Sequence, residues 1–306
     1  MTEQDSELKP TRLKIVSIGE ILWDVFDNGE HLGGAALNFA VHAARLNHDV
    51  RFVSAVGNDE RGRLALQKAI EVGLDTRYIG TVEGHPTGIV TVTVDAAGQP
   101  TFIIHRPAAY DYADISPTAM EELASPKPDW IYFGTLYQMN PRARALTLRL
   151  LEANPGVSRF YDINLRRDAY TPELVREFLE RASVAKLNDS EMEALGRMIS
   201  LPLTDVEQFC REAASRFGWR AVCVTQGAAG CSLLVGDDFV QSPGYSVKVA
   251  DTVGSGDAFA AAFLHGLGNG WEPSKIANLA NRVGALVASR PGGTPPWTVE
   301  EALRLH

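Results

Sequence analysis

Cysteine is scarce in this sequence, and the three present (Cys210, Cys223 and Cys231) have no spacing typical of a metal site. Their odd number excludes a fully paired disulfide framework, so we expect buried free thiols in a reducing cytoplasm. No run approaches the roughly 18 consecutive apolar residues that a membrane-spanning helix needs. Residues 1–10 lack the basic and then apolar segments of a signal peptide. We therefore expect a cytoplasmic protein with no membrane partner.

An excess of positive charge is also absent. The 29 basic and 38 acidic residues give a net charge of -9 and a pI near 5.3. Proteins whose main partner is nucleic acid carry basic faces, so we exclude that class. A small anionic ligand held by a local site remains compatible. The 306 residues, 45% hydrophobic and 22% charged, suffice for one large α/β domain or two small ones.

Several familiar catalytic and nucleotide-binding motifs are missing. The nearest approach to a phosphate-binding P-loop, Gly57–Gly62, is followed by Arg63 instead of lysine. Gly254-Ser-Gly256 does not continue into a dinucleotide-binding fingerprint. No Gly-x-Ser-x-Gly elbow occurs, and the seven histidines include no His-Glu-x-x-His pair. These absences exclude the best-known hydrolase, zinc protease and Rossmann signatures.

The most informative stretch is Asp251–Ala260, Asp-Thr-Val-Gly-Ser-Gly-Asp-Ala-Phe-Ala. A β-prone run, Tyr245–Val249, precedes it and an alanine-rich run follows, which predicts a strand, a tight glycine turn and a helix. Gly254 and Gly256 allow close approach of a ligand, and the free N–H groups of a helix start attract phosphate. Asp257 in that first turn is either a helix cap or the group that accepts a proton from an attacking hydroxyl.

Strands and helices alternate along most of the chain, which predicts a three-layer α/β/α fold with a mostly parallel sheet. The predicted strands of this sheet are Leu13–Ile18, Val50–Val56, Leu74–Ile79, Trp130–Phe133, Arg159–Ile163, Val184–Leu187, Ala221–Thr225 and Ser232–Val235. The predicted helices are 33–46, Asn58–Val72, Thr118–Leu123, Arg142–Glu152, Pro172–Arg181 and Asp205–Arg216.

Two hairpins do not fit a helix-covered sheet because their strands alternate between apolar and polar residues. The first spans 20–32 around Asn28-Gly29, and the second spans 87–106 around Ala96–Gly98. We expect a small β-sheet lid formed by about residues 20–33 and 86–108, inserted in a single domain that spans residues 1–306.

Polar and glycine residues recur where the predicted strands end, and ligands bind at that edge of a parallel sheet. Asn188 and Glu191 share one face at a helix start, which suits Mg²⁺ with its waters or a simple capping arrangement. Thr225-Gln-Gly227 with Gly230 suits a nucleotide or a hairpin turn.

These motifs together resemble the ribokinase-like (PfkB) carbohydrate kinases over nearly the whole chain. The strongest match is Asp251-Thr-x-Gly-Ser-Gly-Asp-x-Phe, and the second is Gly33-Gly-x-x-x-Asn38. Three shorter motifs lie between them: Asp162-x-Asn164-x-Arg166, Asn188-x-x-Glu191 and Thr225-x-Gly227. Within the family, Gly19–Asp24 and Ala109-Tyr-Asp111 are most similar to bacterial fructokinases.

The resemblance implies an ATP-dependent kinase that uses Mg²⁺, and it assigns roles to residues. Asp257 would be the general base, and the amides of Gly254, Ser255, Gly256 and Asp257 would form an anion hole. Sugar hydroxyls would be held by Asp24, Gly33, Gly34 and Asn38. Arg106 on the lid and Arg166 from below would bring positive charge to the transferred phosphate. The ATP site would be lined by Asn188, Thr225, Gly227, Gly230 and Asn281, with Asn188 and Glu191 organising Mg²⁺ and its waters.

Many members of the family also bind a monovalent cation such as K⁺ near the anion hole. Here that loop would use Asp251 with carbonyls around Val253, Ala288 and Gly293. Pro291-Gly292-Gly293 departs from the Lys/Arg-Gly-Ala that is more common there.

Ala35 stands where phosphosugar kinases of the family carry lysine, which favours a small neutral sugar as acceptor. Fructose phosphorylated at its 6-position is the leading hypothesis. A kinase for ribose, 2-keto-3-deoxygluconate or a nucleoside is an alternative, as is a non-catalytic sugar or nucleotide sensor, although Asp257 and Glu191 are both present. The exposed edges of the lid strands are compatible with a homodimer that forms through the lid.

Overall fold

The computed structural model describes residues 10–27, 29–94, 100–166, 169–201 and 205–305. Its strands are β1 Lys14–Ile18, β2 Leu22–Phe26, β3 Gly29–Gly33, β4 Asp49–Gly57, β5 Ile79–Val82, β6 Gly88–Val94, β7 Pro100–His105, β8 Trp130–Gly134, β9 Ser158–Asp162, β10 Val184–Asn188, β11 Ala221–Thr225, β12 Cys231–Val235 and β13 Asp238–Ser242. Its helices are α1 Ala35–Arg45, α2 Glu60–Glu71, α3 Pro117–Ala124, α4 Thr135–Gln138, α5 Pro141–Ala153, α6 Pro172–Leu179, α7 Asp189–Ile199, α8 Val206–Phe217, α9 Ser255–Gly268, α10 Pro273–Ala288 and α11 Val299–Leu303.

Nine strands form the main sheet, in the order β13-β12-β11-β10-β9-β8-β1-β4-β5. All neighbours pair in parallel except β12, which runs antiparallel to both β11 and β13. Ile15 and Val16 show why the sheet has helices on both faces, because successive side chains point to opposite sides and enter two separate apolar cores. One core packs against α1, α9 and α10, and the other against α5, α6 and α8. The predicted three-layer, mostly parallel fold is confirmed.

The two predicted hairpins build a second sheet of four strands, in the order β3-β2-β6-β7. Each hairpin is antiparallel, and β2 pairs with β6 in parallel, which joins the two excursions of the chain. All four strands fall within the two segments that we assigned to the lid. The assigned ranges, and the reading of the chain as one domain, stay predictions. Asn28 and the turn at Ala96–Gly98 lie outside the described residues.

The prediction of a strand at Tyr245–Val249 is wrong. Residues 243–249 follow β13 without regular secondary structure, and Val249 is 58% exposed. The apolar, β-branched composition of this segment predicted a strand, whereas the segment borders a cavity and joins no sheet. The strand predicted at Leu74–Ile79 is also misplaced, because Asp75 makes only an isolated bridge to Arg51, a turn follows it, and β5 begins at Ile79.

β13 and α11 were not predicted at all. Both are short, five-residue elements at the margins of the fold, where packing against neighbours decides the conformation. No helix in the described ranges is both long and apolar enough to cross a membrane.

Candidate active site

A cavity of about 330 Å³ lies between the small sheet and the carboxyl ends of the main-sheet strands. It brings together most of the residues that the sequence predicted for the site. Its lining includes Asp24, Gly34, Asn38, Arg166, Asn188, Glu191, Thr225, Val253, Gly254, Gly256 and Asp257. These residues come from distant parts of the chain, which meet because the parallel strands end at one edge of the sheet.

The predicted glycine turn forms at the start of α9. Gly254 is the N-cap with φ +75°, in the left-handed region that favours glycine. A Cβ there would also lie 2.1 Å from the carbonyl oxygen of Gly293, so no side chain fits. The first N–H groups of a helix have no acceptor within it. Ser255 N–H donates to Thr252, which leaves the N–H groups of Gly256 and Asp257 at the cavity wall.

Asp257 is buried in the first turn of α9, and its carboxylate accepts a 2.8 Å hydrogen bond from Asn38 Nδ2. Burial, and after it the nearby charge of Asp162, raise the pKa of Asp257 to about 6, while the hydrogen bond from Asn38 opposes the rise. The capping alternative is not realised, because Gly254 occupies the cap position. Asp257 is therefore a carboxylate whose affinity for a proton is matched to neutral pH.

A second buried carboxylate, Asp24, lines the same cavity. Burial raises the pKa of Asp24 to about 6, while the charge of Arg166 opposes that rise. A Cβ at Gly33 would lie 2.5 Å from the Asp24 carboxylate, so glycine makes room for it. Within the described residues, Asn38 Oδ1 is buried and has no hydrogen-bond partner. A buried amide oxygen without a hydrogen-bond partner is costly in free energy.

Glu20 also borders this cavity, and the sequence reading did not single it out. Its carboxylate accepts a 3.0 Å hydrogen bond from Ala35 N–H, the first residue of α1. Glu20 thus caps the helix, since the N-cap residue Gly34 has no side chain to do so. Burial raises the pKa of Glu20. The only signal of Glu20 in the sequence is its position as an acidic residue directly before an apolar run that leads into β2.

The two predicted arginines differ. Arg166 lines the cavity, is exposed and has no ion pair within the described part of the chain. Arg106 follows β7 instead of lying on it. Its guanidinium pairs with Asp111 and donates to the Leu136 carbonyl at 2.8 Å. Arg106 is absent from the described lining of the cavity, so the structure does not bring it to the site as we expected.

A buried ion pair beneath the glycine turn was missed as well. Lys186 Nζ lies 3.0 and 3.1 Å from the two oxygens of Asp162, and Tyr132 OH donates to the same carboxylate at 3.1 Å. A Cβ at Gly256 would lie 3.8 Å from Lys186 Nζ, which places this charge directly below the turn. Its sequence signal was a lysine inside the apolar strand β10, two residues before Asn188.

Asn188 and Glu191 form the capping arrangement that the sequence left open against a metal role. Asn188 Oδ1 accepts from Glu191 N–H at 2.8 Å, and the two oxygens of Glu191 accept from Asn188 and Leu165 N–H groups. Both residues still line the cavity. Each carboxylate oxygen can accept more than one hydrogen bond, so the pair fits a hydrated Mg²⁺ held through its waters. No group of three or more potential metal ligands occurs in the described ranges.

A second cavity of about 550 Å³ adjoins the first and shares Thr225, Thr252 and Gly256 with it. The remaining predicted ATP residues line this second cavity: Gly227, Gly230 and Asn281. Thr225–Gly230 is indeed the hairpin between β11 and β12, so the turn alternative and the position beside a cavity both hold. The chain thus offers two joined compartments that meet at the glycine turn.

Two of the residues that the resemblance assigns to a monovalent cation, Asp251 and Ala288, accept backbone hydrogen bonds. Asp251 accepts from Val253 N–H at 3.0 Å and from Gly292 N–H at 3.1 Å. The Ala288 carbonyl accepts two N–H groups, at 2.9 and 3.2 Å, which uses both of its lone pairs. Each Asp251 oxygen accepts one hydrogen bond and has capacity for more, so this carboxylate remains compatible with the monovalent cation that the resemblance implies.

Known carbohydrate kinases are similar to this chain. The family model described as "pfkB family carbohydrate kinase" matches residues 8–300. A fructokinase of Klebsiella pneumoniae is 29% identical over 280 residues, which cover 87% of this chain and 88% of that protein.

Two solved structures are also similar. An uncharacterised sugar kinase of Pyrococcus horikoshii in complex with ATP is 25% identical, with a TM-score of 0.78. The match covers 94% of this chain and 99% of the chain of that kinase. A fructokinase double mutant of Vibrio cholerae, bound to fructose, ADP and potassium ion, is 24% identical with a TM-score of 0.78 and covers 93% and 94%. The chain belongs to the pfkB family of carbohydrate kinases.

Proposed function

We propose that this ATP-dependent carbohydrate kinase transfers the γ-phosphoryl group of ATP to a primary hydroxyl of a small neutral sugar, with fructose to fructose 6-phosphate as the leading reaction. The observation that carries the proposal is the position of Asp257. Its buried carboxylate, with a pKa of about 6, lies at the glycine turn where the two cavities meet. A base there reaches a hydroxyl in one cavity and faces a phosphate in the other.

The first step is to orient the sugar. Asp24 accepts hydrogen bonds from neighbouring hydroxyls, and the unpartnered oxygen of Asn38 accepts another. The amide of Asn38 simultaneously donates to Asp257. One side chain thus links the sugar to the base, which fixes the reacting hydroxyl against the carboxylate.

Transfer then proceeds in line. Asp257 takes the hydroxyl proton as the oxygen attacks, and the N–H groups of Gly256 and Asp257 stabilise the charge that develops on the phosphoryl oxygens. Arg166 adds positive charge from the carboxyl end of β9. Asn188 and Glu191 would hold the waters of a bound Mg²⁺, which would supply positive charge beside the phosphates.

The acceptor itself is inferred from the pocket. Ala35, the first residue of α1, has no positively charged side chain to bind a second phosphate, which favours an uncharged sugar over a phosphosugar. Leu22, Val90 and Ile104 of the small sheet face the cavity and would cover the apolar edges of the sugar. Closure of this sheet would exclude water and limit hydrolysis of ATP.

A coupled assay of ADP release across a panel of sugars and nucleosides tests the acceptor. We expect fructose to give the highest kcat/KM, with adenosine and inosine close to the rate without acceptor. A nucleoside that outperforms every sugar would replace fructose in this proposal. The absence of ADP release with any acceptor would instead favour a sensor.

We also propose that two copies pair through the small sheet. Ile103 on the edge strand β7 is 51% exposed, on the face opposite the cavity-lining Ile104. An apolar edge of this kind invites a partner strand. Light scattering should give twice the monomer mass, and Ile103→Lys should give the monomer mass; a monomeric native protein would contradict the pairing.

The cytoplasm remains our prediction for the location of the protein, which the three free, buried cysteines support.

A further inference from the structure

The buried pair of Lys186 and Asp162 lies beneath the turn that carries the base. Parallel pairing of β9 and β10 puts the two residues directly opposite each other, and Lys186 Nζ lies 3.0 and 3.1 Å from the two Asp162 oxygens. Only 6% of Lys186 and 1% of Asp162 is exposed. A buried ion pair adds little stability compared with apolar residues of similar volume, so stability alone does not explain its presence here.

The ammonium of this pair lies directly under the glycine turn. A Cβ at Gly256 would be 3.8 Å from Lys186 Nζ, and Gly256 immediately precedes Asp257. Lys186 also lines the first cavity, beside Asp257. Charges in a buried site are screened less than charges in water, so the pair acts on the base across a short distance with little loss.

The carboxylate of the pair is joined to the base by a second route. Tyr132 OH donates to Asp162 at 3.1 Å, and the Tyr132 ring stacks on Phe39 with the ring centroids 3.6 Å apart. Phe39 follows Asn38, whose amide donates to Asp257 at 2.8 Å. The same ion pair therefore supports the turn from below and, through an aromatic stack, the helix that holds the base.

Several elements of the fold contribute charged or titratable groups that act on the Asp257 carboxylate. They are Asp162 of β9, Lys186 of β10, Asp24 of β2, Tyr132 of β8 and Arg166, which follows β9. Burial and then the charge of Asp162 raise the pKa of Asp257, whereas the charges of Lys186 and Arg166 lower it. Among these charges Asp162 has the largest influence, and Lys186 opposes it.

We propose that the Lys186–Asp162 pair positions the catalytic base of this kinase and balances the charge around it. The Asp162 carboxylate, a like charge nearby, makes Asp257 a stronger proton acceptor. The Lys186 ammonium holds Asp162 in place and offsets the repulsion between the two carboxylates. Both are positioning residues, since they act through Asp257. The inference rests on the proposed role of Asp257 as the base.

Asp162→Asn tests the inference because it removes the like charge and nearly preserves the shape of the side chain. The measurement is kcat between about pH 5 and 8, at saturating ATP and acceptor, so that protonation of Asp24 does not enter through sugar binding. We expect the fall of kcat on the acid side to move about one unit lower in pH, because Asp257 loses a neighbouring negative charge. The ratio of kcat at pH 5 to kcat at pH 7.5 should rise about fivefold.

The double variant Lys186→Met with Asp162→Asn removes both charges and leaves no unpaired ammonium. Its acid-side fall should lie between those of the wild type and Asp162→Asn, because the loss of Lys186 partly cancels the loss of Asp162. If Asp162→Asn does not fold, the double variant alone decides, and its acid-side fall should still lie below that of the wild type. Equal shifts in the two variants would refute the part of Lys186.

Tyr132→Phe is the matched control, since it removes a hydrogen bond to the same carboxylate without a change of charge. Its melting temperature should fall while the acid-side fall of kcat stays within about 0.3 pH unit of the wild type. The same position in both folded charge variants as in the wild type would overturn the inference. A site that is merely distorted would instead raise the KM of the acceptor without moving the acid-side fall.

Asp257→Asn separates this inference from the proposed function. If its residual activity keeps the acid-side fall of the wild type, Asp257 is not the base and the proposed function fails. If Asp257→Asn loses that fall while the Asp162 variants leave it in place, the base assignment stands and only the inference about the ion pair is overturned. Each variant is measured with the acceptor that the sugar panel identifies.

Discussion

Replacing Asp257 by asparagine removes the proposed base and preserves the shape of the site. The asparagine oxygen can still accept from Asn38, so the turn and the sugar contacts should remain. A positioned base contributes about two to four decades of rate. We expect kcat to fall roughly three decades, equivalent to about 4 kcal/mol of transition-state stabilisation, with little change in either KM.

The pH dependence makes this prediction sharper. Asp257 must be ionised to accept a proton, and burial raises its pKa to about 6. The wild-type kcat/KM should therefore fall about tenfold per unit below roughly pH 6, and the residual activity of Asp257→Asn should lack that step. The assay is steady-state ADP release between about pH 5 and 8 with saturating Mg²⁺–ATP.

Stability supplies the control for Asp257→Asn. A carboxylate whose pKa is higher in the folded than in the unfolded state destabilises the fold as pH rises through that pKa. Removing this charge should leave the melting temperature at pH 7.5, measured beside the wild type, unchanged or higher. Near-normal turnover in a stable variant would refute the assignment of Asp257 as the base.

Three further predictions concern buried and exposed charges. Lys186→Met should cost about 3–5 kcal/mol of unfolding free energy, measured in urea, because it leaves the buried Asp162 carboxylate without its counter-ion. Restored stability in the double variant with Asp162→Asn would confirm this cause, and an unchanged single variant would contradict it. Arg166→Gln should lower kcat/KM about tenfold or more in the ADP-release assay, since it removes the unpaired cation from the cavity, whereas full activity would exclude a role in transfer. Burial lowers the pKa of His48 to about 3 and of His265 to about 4, so both stay neutral in the fold and stability should fall as pH drops below about 6.5. Between pH 7.5 and 5 the loss in urea unfolding should be about 2 kcal/mol smaller for His265→Asn than for the wild type, and equal losses would contradict this.

The glycine turn shows how much of the site the sequence could predict. Gly254 and Gly256 require a special backbone, and Asp257 follows them in the first turn of a helix, so local rules were sufficient. The residues that end neighbouring parallel strands were also found, because the topology alone brings them to one edge. Asn188 and Glu191 reached the cavity in this way.

The residues that were missed are single polar groups in apolar surroundings. Glu20 and Lys186 each lie next to or within a buried run, and nothing in their spacing shows which partner they meet. Lys186 finds Asp162, 24 residues away, only because β9 and β10 pair in one register. Contacts of that range follow from the fold and not from the local sequence.

The wrong strand at Tyr245–Val249 has a related cause. Strand propensity measures how well side chains fit a half-buried pleated surface, and this segment has no neighbouring strand to provide one. Tyr245, Val247 and Val249 instead line the larger cavity, where apolar side chains would face a nucleotide base. Composition alone did not distinguish the wall of a ligand site from the interior of a sheet.

The central claim is that the hydroxyl presented to Asp257 is the primary hydroxyl at carbon 6 of a small sugar. Phosphorus and carbon NMR of the product formed from ATP and fructose tests it directly. The account predicts one new phosphomonoester on carbon 6, formed by the wild type and not by Asp257→Asn within the same time. A phosphate on any other carbon, or no sugar phosphate with fructose while ATP is hydrolysed, would contradict it.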